Sequence, residues 1–320
     1  MDLKRLERTV CGITFPYPVM VAGGVYKTAP QLVRVVGSDI IPEGGSITTE
    51  ARSGNGGCDY YAEHDERTDE RVLRFTLNAL GMPNPGMAYV ERHAHDLLRL
   101  YADHDKPLAI NVSGESAEDL LSLVERALTL GFKVITMNGA CPNGLTQNGS
   151  RIPLLCHDVD ALWNFFHRLE KAVGKTDALL WWKLSNGMHR KLLEHNRLCV
   201  ATSQSAHGMI IGNTIGNTFR SRPDGSPAIQ TENGLTRGGL AGPEIMDGAL
   251  ADTAYCADRM PDHKVVVGAG GISSAKDALK FFGAGATLVQ VHSAFRHAEE
   301  DPRFITNLLE ALADLLEAQA

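Results

Sequence analysis

Short apolar runs separated by stretches of helical periodicity recur along nearly the whole 320-residue chain, and this alternation restricts the fold more than any other feature. Strands are predicted at 19–22, 44–55, 108–112, 134–137, 179–184, 209–211, 265–267 and 287–291. Runs such as LLWWKL at 179–184 and VVV at 265–267 are apolar on both faces, which a sheet tolerates only when both faces are covered. Between them lie amphipathic helices. One, at 158–173, puts Leu162, Phe166, Leu169 and Val173 on one side, and another is opened by Ser116 with Asp119 three residues on as a capping box. Eight strands alternating with helices imply a parallel sheet, and eight such units close as a (β/α)8 TIM barrel of the α/β class. An open doubly wound sheet is the alternative. A single domain over residues 1–320 fits, since such barrels reach roughly 250 residues before insertions are counted.

The remaining segments attach to that frame. Residues 9–18 alternate around Gly12 as a short N-terminal hairpin ahead of the barrel. Two stretches, 54–88 and 219–239, have few periodic apolar positions and many Gly, Asn, Pro and charged residues. Connections of that length in a packed domain are usually functional. Because NALGMPNPG at 78–86 is rigid and apolar, the first is expected to be a loop folded over a site at the C-terminal face. Functional groups in such barrels come from the C-terminal strand ends. Lys27, Ser46, Asn111, Asn138, Lys183, Asn213, Gly270 and Ser293 fall at those ends.

The most chemically loaded stretch is ITMNGACPN at 135–143. Its strand stops at Asn138, and a turn stiffened by Pro142 gathers the Cys141 thiol with the amides of Asn138 and Asn143. A proton-accepting sulfur between hydrogen-bonding amides suits a flat polar heterocycle. The plainer reading makes Cys141 one of six scattered cysteines and the asparagines turn formers.

Lys183 lies between Trp182 and Leu184, and a buried lysine is costly unless something anionic meets it. The edge of a reduced flavin, a carbonyl substrate forming a Schiff base, or snorkelling of the stem would each account for it. GAGGIS at 268–273 has enough glycine for backbone N–H groups to approach a phosphate, with His292 and Ser293 in the neighbouring loop. A structural turn is the alternative. His292 has no second histidine or carboxylate at ligand spacing, so it reads as lining rather than metal-binding.

A formal net charge of −7 and the lack of any Lys/Arg block argue against a nucleic-acid partner. The six cysteines, at 11, 58, 141, 156, 199 and 256, contain no CxxC pair. No metal site or disulfide framework is therefore expected, and a reducing, cytoplasmic setting fits best. The charged start MDLKRLERTVCGITF lacks the apolar core of a signal peptide, and no window holds about 18 uninterrupted apolar residues, so neither export nor a membrane span is expected.

In order and spacing, NALGMPNPG, MNGACPN, WWKLS, GNTIGN, GGLAGP and GAGGISSAKDALKFFGAGATLVQVHSAF resemble the dihydroorotate dehydrogenases, FMN-dependent barrels. The likeness runs from VMVAGG to the last barrel strand, and its most specific pieces are the NxxCPN group and the final GGI to VQ block. It implies oxidation of dihydroorotate to orotate in pyrimidine biosynthesis, with hydride passing to flavin N5 while a base removes a proton α to the carbonyl. Cys141 matches the base of the soluble members. An ordinary thiol has a pKa of about 8.5, so the site must favour thiolate or work at alkaline pH. Asn78, Asn138, Asn143, Asn213 and Thr214 match substrate-binding positions, with the backbone of Leu80, Gly81 and Met82 beside them. Lys27 matches a lysine touching both substrate and flavin. Ala22, Gly23, Ser46, Asn111, Asn138, Lys183 and Gly212 match flavin contacts, and Gly242, Gly270, Gly271, His292 and Ser293 match the phosphate end.

The sequence also departs from the family pattern. Gly139-Ala140 stands where a bulkier residue and a serine are usual, so a hydroxyl beside the base is missing. Lys27 follows the membrane-associated pattern, whereas GNTIGN and the thiol follow the soluble one, and the sequence shows no N-terminal apolar extension of the quinone-using kind. Fumarate, NAD through a partner subunit, and quinone all stay open as electron acceptors, and a homodimer is compatible with the reading. An FMN-dependent reductase of another pyrimidine or unsaturated cyclic imide is the main alternative function. A Schiff-base aldolase-like barrel using Lys183, or a non-catalytic phosphate-ligand-binding barrel, are the remote ones.

Overall fold

In the computed structural model, which describes residues 3–65, 72–140 and 154–318, fourteen strands form three sheets among the described residues. The first five in chain order are β1 (Arg8–Val10), β2 (Ile13–Phe15), β3 (Val19–Tyr26), β4 (Pro42–Ile47) and β5 (Tyr60–Asp65). Next come β6 (Val72–Asn78), β7 (Ala109–Val112), β8 (Val134–Asn138), β9 (Leu179–Leu184) and β10 (Gly208–Ile211). The last four are β11 (Ile215–Thr218), β12 (Gly238–Ala241), β13 (Val265–Ala269) and β14 (Leu288–Val291).

Eight of these close a barrel in the order β3-β4-β7-β8-β9-β10-β13-β14, with β14 returning to β3 and every pair parallel. Helices connect most neighbours and cover the outside, so the (β/α)8 expectation holds. Period-2 alternation along β9 explains why an almost wholly apolar strand carries a lysine. Trp182 faces outward against Phe165 and Phe166, with ring centroids at 5.6 and 5.5 Å, while Trp181 and Lys183 share the interior face. Trp181 belongs to a plug with Met20, Ile41, Ile210 and Val267 that fills the lower barrel. The expected hairpin, β1 with β2, packs there, Phe15 stacking on Trp181 at 5.9 Å.

The long segments differ from expectation. Residues 54–88 are not a plain loop, because β5 and β6 lie within them, and β11 and β12 flank or end the second segment. These four strands form an antiparallel sheet in the order β11-β12-β6-β5. Its signal was present but short: Leu73, Phe75 and Leu77 alternate with Arg74, Thr76 and Asn78, and Phe75 and Leu77 pack with Ala79, Ile229, Leu240 and Ile245 into a small core of their own. The helix expected from Pro243 opens as a 3-10 turn, Pro243–Ile245, before the α-helix Met246–Ala257. The helix expected near 188–198 is Arg190–Thr202, because the side chain of His189 caps its start. Ser116 caps Ala117–Thr129 by accepting from the Asp119 N–H.

Candidate active site

The four-stranded sheet and the C-terminal ends of the barrel strands enclose a cavity of about 1190 Å³, its open mouth included. Ala22, Gly23, Lys27, Ser46, Asn78, Leu80, Gly81, Met82, Asn138, Lys183, Gly212, Asn213, Thr214, Gly242, Gly270, Gly271, His292 and Ser293 all border it. The sequence therefore placed these residues around one space. Asn111 is the exception: it is buried one step behind the wall. Cys141, Pro142 and Asn143 lie outside the described residues.

Beneath the cavity sits a charge the sequence reading missed. Glu43, on β4 and fully buried, accepts from the Gly23 N–H at 2.7 Å, Asn111 Nδ2 at 3.0 Å, Gln290 Nε2 at 3.0 Å and the Thr136 hydroxyl. Lys183 Nζ lies 3.6 Å from its Oε2 and donates to Gln290 Oε1 at 3.0 Å. The anion meeting Lys183 is therefore supplied by the chain itself. Burial alone would push the Glu43 carboxyl up; Lys183 and the hydrogen bonds from Thr136, Gly23 and Gln290 outweigh it and hold the group below the ordinary carboxylate value.

From Glu43 a chain of amides runs to the cavity wall. An ionised carboxylate only accepts, so Asn111 must turn its NH2 toward it and its oxygen away. Asn138 Nδ2 then donates to Asn111 Oδ1 at 3.3 Å and to Ser46 Oγ at 3.1 Å. Asn213 Nδ2 donates in turn to Asn138 Oδ1 at 3.4 Å, and its own oxygen accepts from the Thr214 N–H at 2.8 Å. The buried charge thus orients Asn111, on β7, and the same sense is carried to Asn138, on β8, and to Asn213, after β10, with backbone groups of Ala140 and Thr214 holding the last two.

Opposite, residues 80–84 form a pinned edge: Asn55 donates its backbone N–H to Leu80 O at 3.0 Å and Arg52 Nε donates to Gly81 O at 3.2 Å. Lys27 Nζ reaches the same edge through Pro83 O at 2.7 Å. At the far end Gly242, Gly270 and Gly271 all adopt positive φ. A Cβ on Gly271 would fall 2.6 Å from Met246 Cβ and 3.2 Å from Gly242 O, so glycine is what lets these loops meet. Arg296 also borders the cavity, its guanidinium 5.4 Å over the Tyr60 ring, and Thr76 Oγ1 lies 3.2 Å from Ser293 Oγ. These contacts tie the antiparallel sheet to the short helix Ser293–His297 after β14. Burial first, and then Arg296, Lys183 and Lys27, push the His292 imidazole down to about 3, which keeps it neutral.

The Gly139 departure has a structural reason. A Cβ there would fall 2.1 Å from Trp182 Cη2, so the indole that packs outward on Phe165 and Phe166 occupies the room a larger residue needs.

A sequence profile of the family described as Dihydroorotate dehydrogenase matches residues 5–316. The chain belongs to the dihydroorotate dehydrogenase family. Among relatives, the dihydroorotate dehydrogenase (fumarate) of Trypanosoma cruzi is 27% identical over 80% of this chain and 78% of its own length. The catalytic subunit of dihydroorotate dehydrogenase B (NAD(+)) from Porphyromonas gingivalis is 28% identical over 95% of this chain and 90% of its own. A crystal structure of DHODH in complex with ferulenol from Eimeria tenella shares the fold, with a TM-score of 0.76 at 18% identity over 98% of this chain and 85% of its own. The family makes this chain an oxidoreductase. Relatives named for fumarate and for NAD(+) differ by one percentage point, 27% against 28%, so identity does not choose an acceptor.

Among the described residues no helix is long and apolar enough to cross a membrane, and no group of three or more His, Cys, Asp or Glu is placed to hold a metal ion. The site residues missed from sequence are Glu43, Gln290, Thr136, Asn186, Tyr60, Thr76 and Arg296. Polar residues inside otherwise apolar or small-residue strands, as in IIPEGG and LVQV, were the available signal for the first two.

Proposed function

We propose that the protein is an FMN-dependent dehydrogenase that oxidises dihydroorotate to orotate, with residues 1–320 forming one FMN-binding domain. The observation that carries this reading is a single cavity with a lysine-backed ring of oriented amides at one end and a three-glycine cradle at the other. The residues fit FMN. Asn186 Oδ1 and Thr214 Oγ1 are buried at this cavity's wall without a hydrogen-bond partner, as a polar ligand would require. Lys27, Lys183 and Arg296 offset Glu43 and leave the space suited to an anionic substrate and a phosphate.

FMN, when bound, supplies the acceptor for the hydride that leaves the substrate. Gly242, Gly270, Gly271 and Ser293 would hold the phosphate, and Ala22, Gly23, Ser46, Asn111 and Gly212 the ring system, with Lys183 at its edge. Asn78, Asn138, Asn143, Asn213 and Thr214 orient the substrate's imide and carboxylate, and Lys27 lies beside both molecules. The Cys141 sulfur takes the proton α to the carbonyl as the carbon–carbon double bond forms, so hydride and proton together account for the two hydrogens lost. The Lys183–Glu43 pairing weighs against a Schiff-base mechanism, which needs a neutral, unpaired amine.

Turnover with an artificial quinone acceptor tests the substrate. Dihydroorotate should be oxidised in preference to dihydrouracil, which lacks the carboxylate; equal rates, or preference for dihydrouracil, would move the assignment to another heterocycle.

A further inference from the structure

Asn186 touches both groups of cavity residues, Asn213 of the amide ring and Gly270 of the glycine cradle. It lies three residues beyond Lys183, is 4% exposed, and borders the cavity wall. Its Nδ2 donates to Asn213 O at 2.7 Å and to Ala269 O at 3.5 Å. Both partners are backbone carbonyls, which can only accept, so the NH2 end of the amide must face them and the oxygen end is fixed by elimination. That oxygen, buried, has no partner. A buried amide oxygen without a donor is costly, and such groups in folded proteins mark a place where something else binds.

We propose that Asn186 is a binding residue for a polyol, its Oδ1 accepting a hydrogen bond from a hydroxyl of the ribityl chain of FMN. The inference rests on the FMN reading above. The chemistry of the donor follows from position. A phosphate at Gly270 and Gly271 is mainly dianionic at neutral pH and offers acceptors, and the heterocycle end is marked by Lys183 and the amide ring. Between them the ligand must offer a neutral donor, and an alditol hydroxyl is one. Gly270 adjoins the same amide, since a Cβ on it would fall 2.8 Å from Asn186 Nδ2. The polyol subsite and the phosphate cradle are therefore continuous.

The test compares FMN with lumiflavin, the same ring system without side chain, as ligands of the flavin-stripped protein, binding being read by flavin fluorescence. Asn186→Ala should weaken FMN by about 3- to 10-fold, the range for one hydrogen bond, and leave lumiflavin unchanged. Equal weakening of both ligands would place Asn186 at the ring and overturn the polyol assignment, as would unchanged affinity for both. FMN analogues lacking the 2′-, 3′- or 4′-hydroxyl, tested on the unaltered protein, keep the proposal falsifiable should the variant fail to fold. One of them should bind about 3- to 10-fold more weakly than FMN, and full affinity for all three would overturn it. Failure of the unaltered protein to bind FMN at all would instead defeat the reading on which this one rests.

Discussion

Lys183 Nζ lies 3.6 Å from Glu43 Oε2 inside the barrel, with 5% and 0% of the two residues exposed. Glu43 is sealed from water and only the edge of Lys183 meets the cavity, so each charge depends on the other and on the hydrogen bonds around them. Breaking one side of a buried pair strands the other. Glu43→Gln should therefore cost about 3–5 kcal/mol of folding stability, and adding Lys183→Met should recover part of that. Urea denaturation of the flavin-stripped protein measures both; a loss below about 1 kcal/mol, the scale of a surface pair, would contradict the arrangement. Lys183→Ala should also weaken FMN retention.

Acid should destabilise the fold in two steps whose signs follow from the shifts. His292 is held neutral down to about 3, against about 6.5 for a free imidazole. Its contribution is fully present above about pH 6.5 and is lost as pH falls toward 3, because the unfolded chain takes up the proton first. Replacing it by Gln should flatten the stability slope in that window by about 1.4 kcal/mol per pH unit, the value for one proton. Glu43, held below its ordinary value, contributes above about pH 4.3 and is lost as pH falls through its lower folded value. Urea midpoints across pH for the His292→Gln and unaltered proteins check the first step; identical slopes would contradict it.

The barrel was legible because most of its strands are buried on both faces and read as short, mainly apolar runs, and Leu179–Leu184 was bounded without error. The antiparallel sheet was not, since β5 is half-buried throughout and β6 is exposed at Val72 and Arg74 and buries the polar Thr76 among its apolar residues. The wall of the site was largely legible too, because it is made of strand-end residues whose motifs sit in order. Its foundation was not. Glu43 and Gln290 lie 247 positions apart in sequence, and only barrel closure brings β14 round beside β3 to put them together. The position of Asn186 was visible as a polar residue just after an apolar strand, but its lone oxygen depends on carbonyls from the loop after β10 and from the end of β13.

Cys141→Ala should leave FMN binding unchanged and slow flavin reduction by dihydroorotate by roughly 10²-fold or more, the usual scale for a general base. Stopped-flow absorbance separates the two effects. Loss of the flavin together with the rate would make the thiol structural, and an unaltered rate would remove it from proton transfer.

Gly271→Ala should weaken FMN while sparing lumiflavin, since the new methyl would meet Met246 Cβ at 2.6 Å and push the cradle open at its phosphate end. Equilibrium fluorescence titration reads this. Unchanged FMN affinity in a folded Gly271→Ala protein would place the phosphate elsewhere.

The central claim is a flavin site joined to a dihydroorotate site in one cavity, and the visible spectrum of the purified protein under anaerobic conditions tests it most directly. The account predicts a yellow flavin band that bleaches when dihydroorotate is added and returns with an acceptor. A protein without flavin absorbance even after FMN is supplied, or a flavin band indifferent to dihydroorotate, would contradict it.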